Sequence, residues 1–379
     1  MNLVVCQKSK VQDWVDHFTD YYDKKVFDLT KPKELGEFIG LVMGKRFDIV
    51  GVINFDLMWR RKDLLNLKDF TLMVDESSLI QNTTSKRCKF IMKMDPKNVI
   101  LLSGSPVGGK YENLWSQIHL LGWNISEKIY NSQYVNWKNI NVGGMIHKIV
   151  DKEDPYKNVE RLKQKMREHG CDFVKTEEVF DLPEQNFIPV KVPTTKEYKK
   201  FKRDKLVTVD GIEFVGDSTL SYRLYQRQLC TAYNPNKVQA FRDLLESTQD
   251  RLIVFYQFNC ELAELQAACN DLDRPYSMVN GSVKNLTAYE EESNSVTLVQ
   301  YQAGSFGLNM QLANKIIYFS PTEKVEEWMQ SLKRIHRIGQ EKSCFYYKII
   351  CEDSIEERIY EALSKGVDYT DDLFEMDCI

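Results

Sequence analysis

Apolar residues along the chain fall into two alternating rhythms. Residues 2–6 (NLVVC) form a short apolar run, Gln7-Lys8-Ser9-Lys10 is polar, and Val11, Trp14, Val15, Phe18 and Tyr22 then recur at helical spacing. The pattern predicts a strand, a loop and an amphipathic helix. It repeats as a strand over 25–29, a helix after Pro32, a strand over 47–53, a short helix, and strands over 70–74 and 99–102. Such alternation predicts a parallel sheet covered by helices. Ligands of such sheets bind at the carboxyl ends of the strands.

The rhythm loosens over 122–236. Trp123, Tyr130, Tyr134 and Trp137 are interleaved with Lys128 and Lys138. These rings suit stacking on bases, but the packed core of a helical protrusion is the plainer reading. Residues 206–215 read as a hairpin around Asp210-Gly211. From Asn236 the alternation resumes, with strands expected over 252–256, 277–279, 315–319 and 345–350. Near the end, Ser320-Pro321-Thr322-Glu323 has the form of a capping residue, a first-position Pro and a reciprocal Glu. A helix is expected from there to Gly339, burying Val325, Trp328, Leu332 and Ile335. Asp353 and Glu356 cap a closing helix, and the acidic tail 365–379 is expected to be loose.

Composition adds bounds. With 379 residues, 43% hydrophobic and 28% charged, the chain is globular and long enough for two cores. No apolar run approaches the roughly 20 residues a membrane span needs. Nine cysteines without a C-x-x-C pair read as reduced core thiols of a cytosolic-type compartment, and five scattered histidines form no metal pattern. The net charge of −4 argues against a generally basic nucleic-acid binder, but not against one that grips nucleic acid in a single cleft.

Four stretches carry candidate chemistry. Asp75-Glu76 directly follows an apolar strand; bare, it is a polar turn, but adjacent carboxylates at a strand end also suit a hydrated Mg²⁺ and an attacking water. Lys8, Ser9 and Lys10 open a helix and suit either solvent or a phosphate. Gln330, Arg334 and Arg337 share one face of the expected helix, as a solvated basic face or as a polyanion site. Gly104-x-x-x-x-Gly109-Lys110 is close to a phosphate-binding P-loop. Tyr111 stands where the Mg²⁺-ligating hydroxyl belongs, and Pro106 removes an amide from the cradle.

Taken in order, these stretches resemble the Swi/Snf-type branch of superfamily 2 helicases and DNA translocases. VVCQKSKVQDWVDHF resembles motif Ia, and Asp75-Glu76-Ser77-Ser78 resembles motif II, with serines where the family usually has Gly or Ala and then His. Ser103-Gly104-Ser105-Pro106 followed by Leu114-Trp115 resembles motif III; VTLVQYQAGSFGLN and QSLKRIHRIGQ resemble motifs V and VI. The resemblance implies two RecA-like α/β lobes with a helical insertion near the junction. The expected division is 1–121 for the first lobe, 122–192 for the insertion and inter-lobe segment, 193–364 for the second lobe, and 365–379 for the tail.

The resemblance also implies ATP-driven movement on double-stranded DNA. ATP sits between the lobes, where Asp75 (Mg²⁺ through water) and Glu76 face Arg334 and Arg337. Gln330, Gly304, Gly307 and Asn309 would contact the nucleotide. Lys8, Ser9, Lys10, Ser103, Gly104, Ser105 and Ser305 would contact DNA. No G-x-x-x-x-G-K-[ST] occurs in the 379 residues. In the family the P-loop precedes motif Ia on an interior strand of the same sheet, so the sequence predicts a sheet with an open groove. It also predicts little ATPase activity for this chain alone, unless a separate P-loop segment joins it. The other reading is a non-enzymatic DNA- or partner-binding remnant. The compact form resembles bacterial or phage members, so a bacterial or phage-infected cytoplasm is expected.

Overall fold

A computed structural model describes residues 1–46, 48–104, 110–142, 145–151, 153–172, 180–304, 308–370 and 374. The chain divides into two compact units, Met1–Phe173 and Val174–Ile379, each built on a parallel sheet flanked by helices. These are the two RecA-like α/β lobes.

The first unit is built on five parallel strands: β1 (Asn2–Cys6), β2 (Lys25–Asp28), β3 (Ile49–Asn54), β4 (Thr71–Asp75) and β5 (Asn98–Leu102), in the order β2-β3-β1-β4-β5. Successive side chains alternate between the two faces. Val4, Cys6, Val50 and Val52 pack under the helix Val11–Tyr21 through Val11 and Phe18, joined by Met73. Leu3, Val5, Leu72 and Val74 point the other way, into a core with Phe38, Phe55, Met58, Phe90 and Ile91. The strands are contiguous, because β1 pairs with both β3 and β4; the expected groove inside the sheet is absent. What is open is the edge. Among the described strands β5 pairs only with β4, and its Ile100 and Leu102 are 41% and 38% exposed.

The segment after this sheet is less helical than expected. Helices Glu127–Tyr134 and Val159–Glu168 flank an antiparallel hairpin of β6 (Trp137–Val142) and β7 (Met145–Val150). Tyr130, Tyr134, Leu162 and Met166 are buried in one small core with Trp123 against it, so most of these aromatics are packing groups.

The second unit opens with β8 (Gln185–Val192). A hairpin of β9 (Leu206–Val209) and β10 (Ile212–Val215) follows and forms as expected, with Asp210 and Gly211 both at positive φ. The remaining strands are β11 (Leu252–Tyr256), β12 (Tyr276–Val279), β13 (Lys284–Asn285), β14 (Val296–Gln300), β15 (Lys315–Tyr318) and β16 (Cys344–Cys351). With β8 they make a seven-stranded sheet in the order β13-β12-β14-β11-β15-β16-β8, parallel except for β13. β8 pairs with β16 along eight residues, so 185–192 belongs to this sheet and not to an inter-lobe insertion ending at 192. The described part of the tail is docked rather than loose. Asp368 accepts the amide of Val325, Tyr369 donates its amide to the Glu323 carbonyl, and the Phe374 ring meets Tyr222.

Beneath the sheet, Lys237 and Glu356 form an ion pair with both side chains essentially inaccessible, at 2.5 and 2.7 Å. The second oxygen of Glu356 also accepts the Cys351 amide. Cys230 and Cys351 lie beside this pair, but the Lys237 ammonium already supplies the positive charge that three such ligands would otherwise draw from a metal ion.

Candidate functional site

The first unit gathers its candidate groups where β1 and β4 end. Asp75 closes β4 and lies on the same face as Met73. Its Oδ2 accepts a 2.9 Å hydrogen bond from the Trp14 indole. Lys10, Asp13, Trp14, His17 and Asp75 line a shallow depression of about 310 Å³. Behind it, burial and then the charge of Asp75 push the Cys6 thiol up to about 12. Glu76 follows with φ 59°, in the left-handed region. Its Oε1 accepts from Ser78 Oγ at 2.8 Å and Ser103 Oγ at 3.2 Å. Ser77, buried, donates to Gln117 Oε1 at 2.8 Å. The two serines that depart from the usual motif II therefore have partners, and Ser103 ties Glu76 to the end of β5.

The acidic pair fits a hydrated divalent cation. The indole fixes Asp75 through Oδ2, leaving Oδ1 to ligate, and two hydroxyls fix Glu76 through Oε1, leaving Oε2 to orient a water. Lys8 to Lys10 form a short 3-10 turn before the helix Val11–Tyr21. Lys10 pairs with Asp13 at 2.6 Å, the Ser9 hydroxyl is buried without a partner, and Lys8 is exposed. Among the described residues, nothing lies within 4 Å of where a Cβ on Gly104 would stand. Ser105 and the core of the P-loop-like stretch lie outside the described residues.

In the second unit the helix expected from Pro321 to Gly339 is shorter at both ends. It spans Val325–Leu332, with Lys324 as its cap. Ser320 donates instead to Glu261 Oε2 at 2.9 Å and accepts from the Gln257 amide, while Arg227 holds Glu323 at 2.6 Å and the Pro321 carbonyl at 3.0 Å. That network fixes 320–323 as a loop. Arg334 and Arg337 lie beyond the helix, so they do not continue a stripe from Gln330, whose amide reaches Glu326 at 3.4 Å.

The turn after the helix instead grips the motif V segment. Arg334, 8% exposed, donates to the Leu308 carbonyl at 3.4 Å, and its own carbonyl accepts the Met310 amide. Arg337 donates to Asn309 Oδ1, and partial burial pulls its guanidinium below the usual arginine range. Gln340 donates to the carbonyls of Gln311 and Ala313 at 3.1 and 2.8 Å, and His336 Nε2 lies 2.9 Å from the Pro183 carbonyl. The structure thus joins Arg334, Arg337 and Asn309 at the turn that follows the helix carrying Gln330. Gly304 ends the short helix Tyr301–Gly304; Ser305 and Gly307 lie outside the described residues.

Sequence reasoning misses Trp14, Ser78 and Gln340 as positioning groups. Trp14 has the spacing of a core residue, and nothing in that spacing reveals an indole N–H aimed at a carboxylate 61 positions away.

Comparison with known proteins matches residues 1–238 to the SNF2-related domain and residues 236–339 to the helicase conserved C-terminal domain. The ISWI chromatin-remodeling complex ATPase ISW1 of Saccharomyces cerevisiae is 22% identical over 95% of this chain and 34% of its own length. An uncharacterized ATP-dependent helicase of Mycoplasma genitalium, MG018, is 25% identical over 81% of this chain and 30% of its own length. The chain thus spans about a third of these relatives. A solved structure titled the C-terminal part of Fun30 ATPase domain covers 52% of this chain and 96% of its own, with a TM-score of 0.41 at 16% identity. No helix among the described residues is long and apolar enough to cross a membrane. With the SNF2-related model matched across well over half of its length, and the helicase C-terminal model following it, this chain belongs to the SNF2 family of superfamily 2 helicases and translocases.

Proposed function

We propose that this chain is the motor portion of an ATP-dependent translocase acting on double-stranded DNA. The observation that carries the reading is the fixed acidic pair at the end of β4, within a chain that matches the SNF2-related model. Asp75 is the ligand for hydrated Mg²⁺, which neutralises phosphate charge when bound. Glu76, held by Ser78 and Ser103, orients the attacking water. Arg337, partly buried and seated on Asn309, supplies positive charge to the transferring phosphoryl group. Arg334 braces the same turn on Leu308, and Gln330, Gly304, Gly307 and Asn309 contact the nucleotide. Lys8, Ser9, Lys10, Ser103, Gly104, Ser105 and Ser305 hold the phosphates of one DNA strand. The proposed setting is a bacterial or phage-infected cytoplasm, for which the similarity to the Mycoplasma genitalium helicase is the support.

The 379 residues contain no G-x-x-x-x-G-K-[ST] sequence, whose amides and lysine hold the β- and γ-phosphates in P-loop enzymes. The chain alone is therefore expected to turn over ATP far below about 1 s⁻¹, even with DNA. Supplying a strand–P-loop–helix segment, fused or as a separate chain, is expected to give DNA-stimulated hydrolysis. Arg337→Ala in that preparation should lower turnover by about 10³-fold or more, with DNA binding retained. A preparation that folds, binds ATP and shows no DNA-dependent hydrolysis sinks the motor reading. DNA binding without measurable nucleotide affinity, in the same titrations, identifies a non-enzymatic DNA-binding role instead.

A further inference from the structure

A second polar region of the first unit takes no part in this chemistry. The helix Phe55–Met58, the turn Lys62–Asn66 and the helix Lys86–Ile91 enclose a cleft of about 260 Å³. Trp59 and Phe90 supply apolar wall, and Lys62, Lys86, Lys89 and Lys93 line it. All four lysines are exposed, and none has a carboxylate within ion-pair distance among the described residues. Elsewhere in this unit lysines are commonly paired: Lys10 with Asp13, Lys31 with Glu34, Lys68 with Asp95. A carboxylate on the same elements, Asp56, is taken by Arg87 at 2.6 Å. Four ammonium groups around one apolar cleft repel each other, and a polyanion relieves that repulsion.

The residue types narrow the partner. An all-lysine ring supplies point charges, which suit phosphates; carboxylates on a peptide are better matched by the planar fork of arginine. Aromatic wall between the charges suits an unstacked base, and a cleft of this size admits one base rather than a duplex. Lys86 and Arg60 both lie over the Trp59 ring, 4.7 and 4.9 Å from its centroid, so a base that stacks on the indole takes the place of one of these cations. The cleft also lies on the opposite side of the sheet from Asp75. Leu72 and Val74 pack with Phe55, Met58 and Phe90, whereas Met73 and Asp75 face the Val11–Tyr21 helix. We infer that the Trp59–Lys93 cleft binds a segment of single-stranded nucleic acid, through its phosphates and one unstacked base, separately from the Lys8–Lys10 region.

The test measures binding of a twelve-residue oligothymidylate to the full chain by fluorescence anisotropy at several salt concentrations. A strand carrying 5-iododeoxyuridine is photocrosslinked to the same protein and the crosslinked residue is mapped by mass spectrometry. The crosslink is expected at Trp59 or Phe90 and is expected to survive Lys8→Ala/Lys10→Ala. Lys62→Glu/Lys89→Glu/Lys93→Glu should weaken binding at least tenfold and flatten the log–log salt slope by about 2, at roughly 0.7 per phosphate on a single strand. Crosslinks confined to other residues of the unaltered chain overturn the inference, whether or not the triple variant folds. So does unchanged affinity in a triple variant with an unchanged melting curve. Displacement of the oligonucleotide by polyglutamate at equal charge concentration points to an acidic protein partner and also overturns it. None of these readouts uses ATP hydrolysis, so failure here leaves the motor reading standing, and failure of that reading leaves this one.

Discussion

In the second unit, β11, β14 and β15 are buried almost end to end, and one continuous core runs from Val192 to Phe374. In the first unit β5 is an edge strand among the described residues; its alternate residues face solvent, and the Val11–Tyr21 helix packs on β1, β2, β3 and Met73 of β4 without reaching β5. Parallel sheets are ordinarily covered on both faces. The exposed Ile100 and Leu102 lie on the same face as Met73 and Asp75, because Met73 pairs with Ile100 and Asp75 with Leu102. The second unit therefore closes its own core, while the first places uncovered apolar surface beside its acidic pair.

That contrast is open to direct attack. The largest effect on stability is expected in the second unit. Lys237→Met leaves Glu356 charged and unpaired in a fully buried place, at a cost of about 3–5 kcal/mol in chemical denaturation. Adding Glu356→Leu should restore most of the loss. If the single variant costs under about 1 kcal/mol, the core is not as closed as described.

Truncations sharpen the comparison further. Ile316→Ala, at a side chain with no exposure, should cost about 2–5 kcal/mol, whereas Ile100→Ala on β5 should cost under about 1 kcal/mol. Equal losses in paired denaturation curves would mean that β5 is covered in solution. The smallest effect is expected at the surface pair of Lys315 and Asp250. The Lys315 hydrogen bond holds the Asp250 carboxyl below its ordinary value of 3.8. A depressed native value means that the stabilisation is present above that ordinary value and is lost as the pH falls through the lower, native one. Asp250→Asn should cost under about 1 kcal/mol at neutral pH, and the difference from the unaltered chain should vanish in strong acid.

Strands are the most legible part of the sequence. The runs expected over 70–74 and 99–102 come close to β4 and β5, the first shifted by one residue at each end and the second lacking one residue at its start, because unbroken apolar runs between turn signals leave few other registers. The strand expected over 47–53 begins at Ile49; Phe47 lies outside the described residues. The helix over the arginines misleads because Ser320-Pro321-Thr322-Glu323 has the form of a cap while its polar atoms serve distant partners, Glu261 and Arg227. Arg334 and Arg337 do come together at one turn, but by a route other than the helical spacing that singles them out. The hairpin of β6 and β7 escapes a sequence reading because its aromatics and lysines follow neither period clearly.

The backbone at Glu76 has a consequence for how the molecule tolerates change. Its left-handed φ of 59° costs an ordinary side chain about 1 kcal/mol that glycine would not incur. Selection for robustness alone would favour glycine there, and selection for hydrolysis would favour the carboxylate that Ser78 and Ser103 hold in place. A lineage released from the chemistry would be free to relax at this one residue and gain thermal tolerance in a single step. Glu76 is thus a position where the choice of residue records which of the two demands has prevailed.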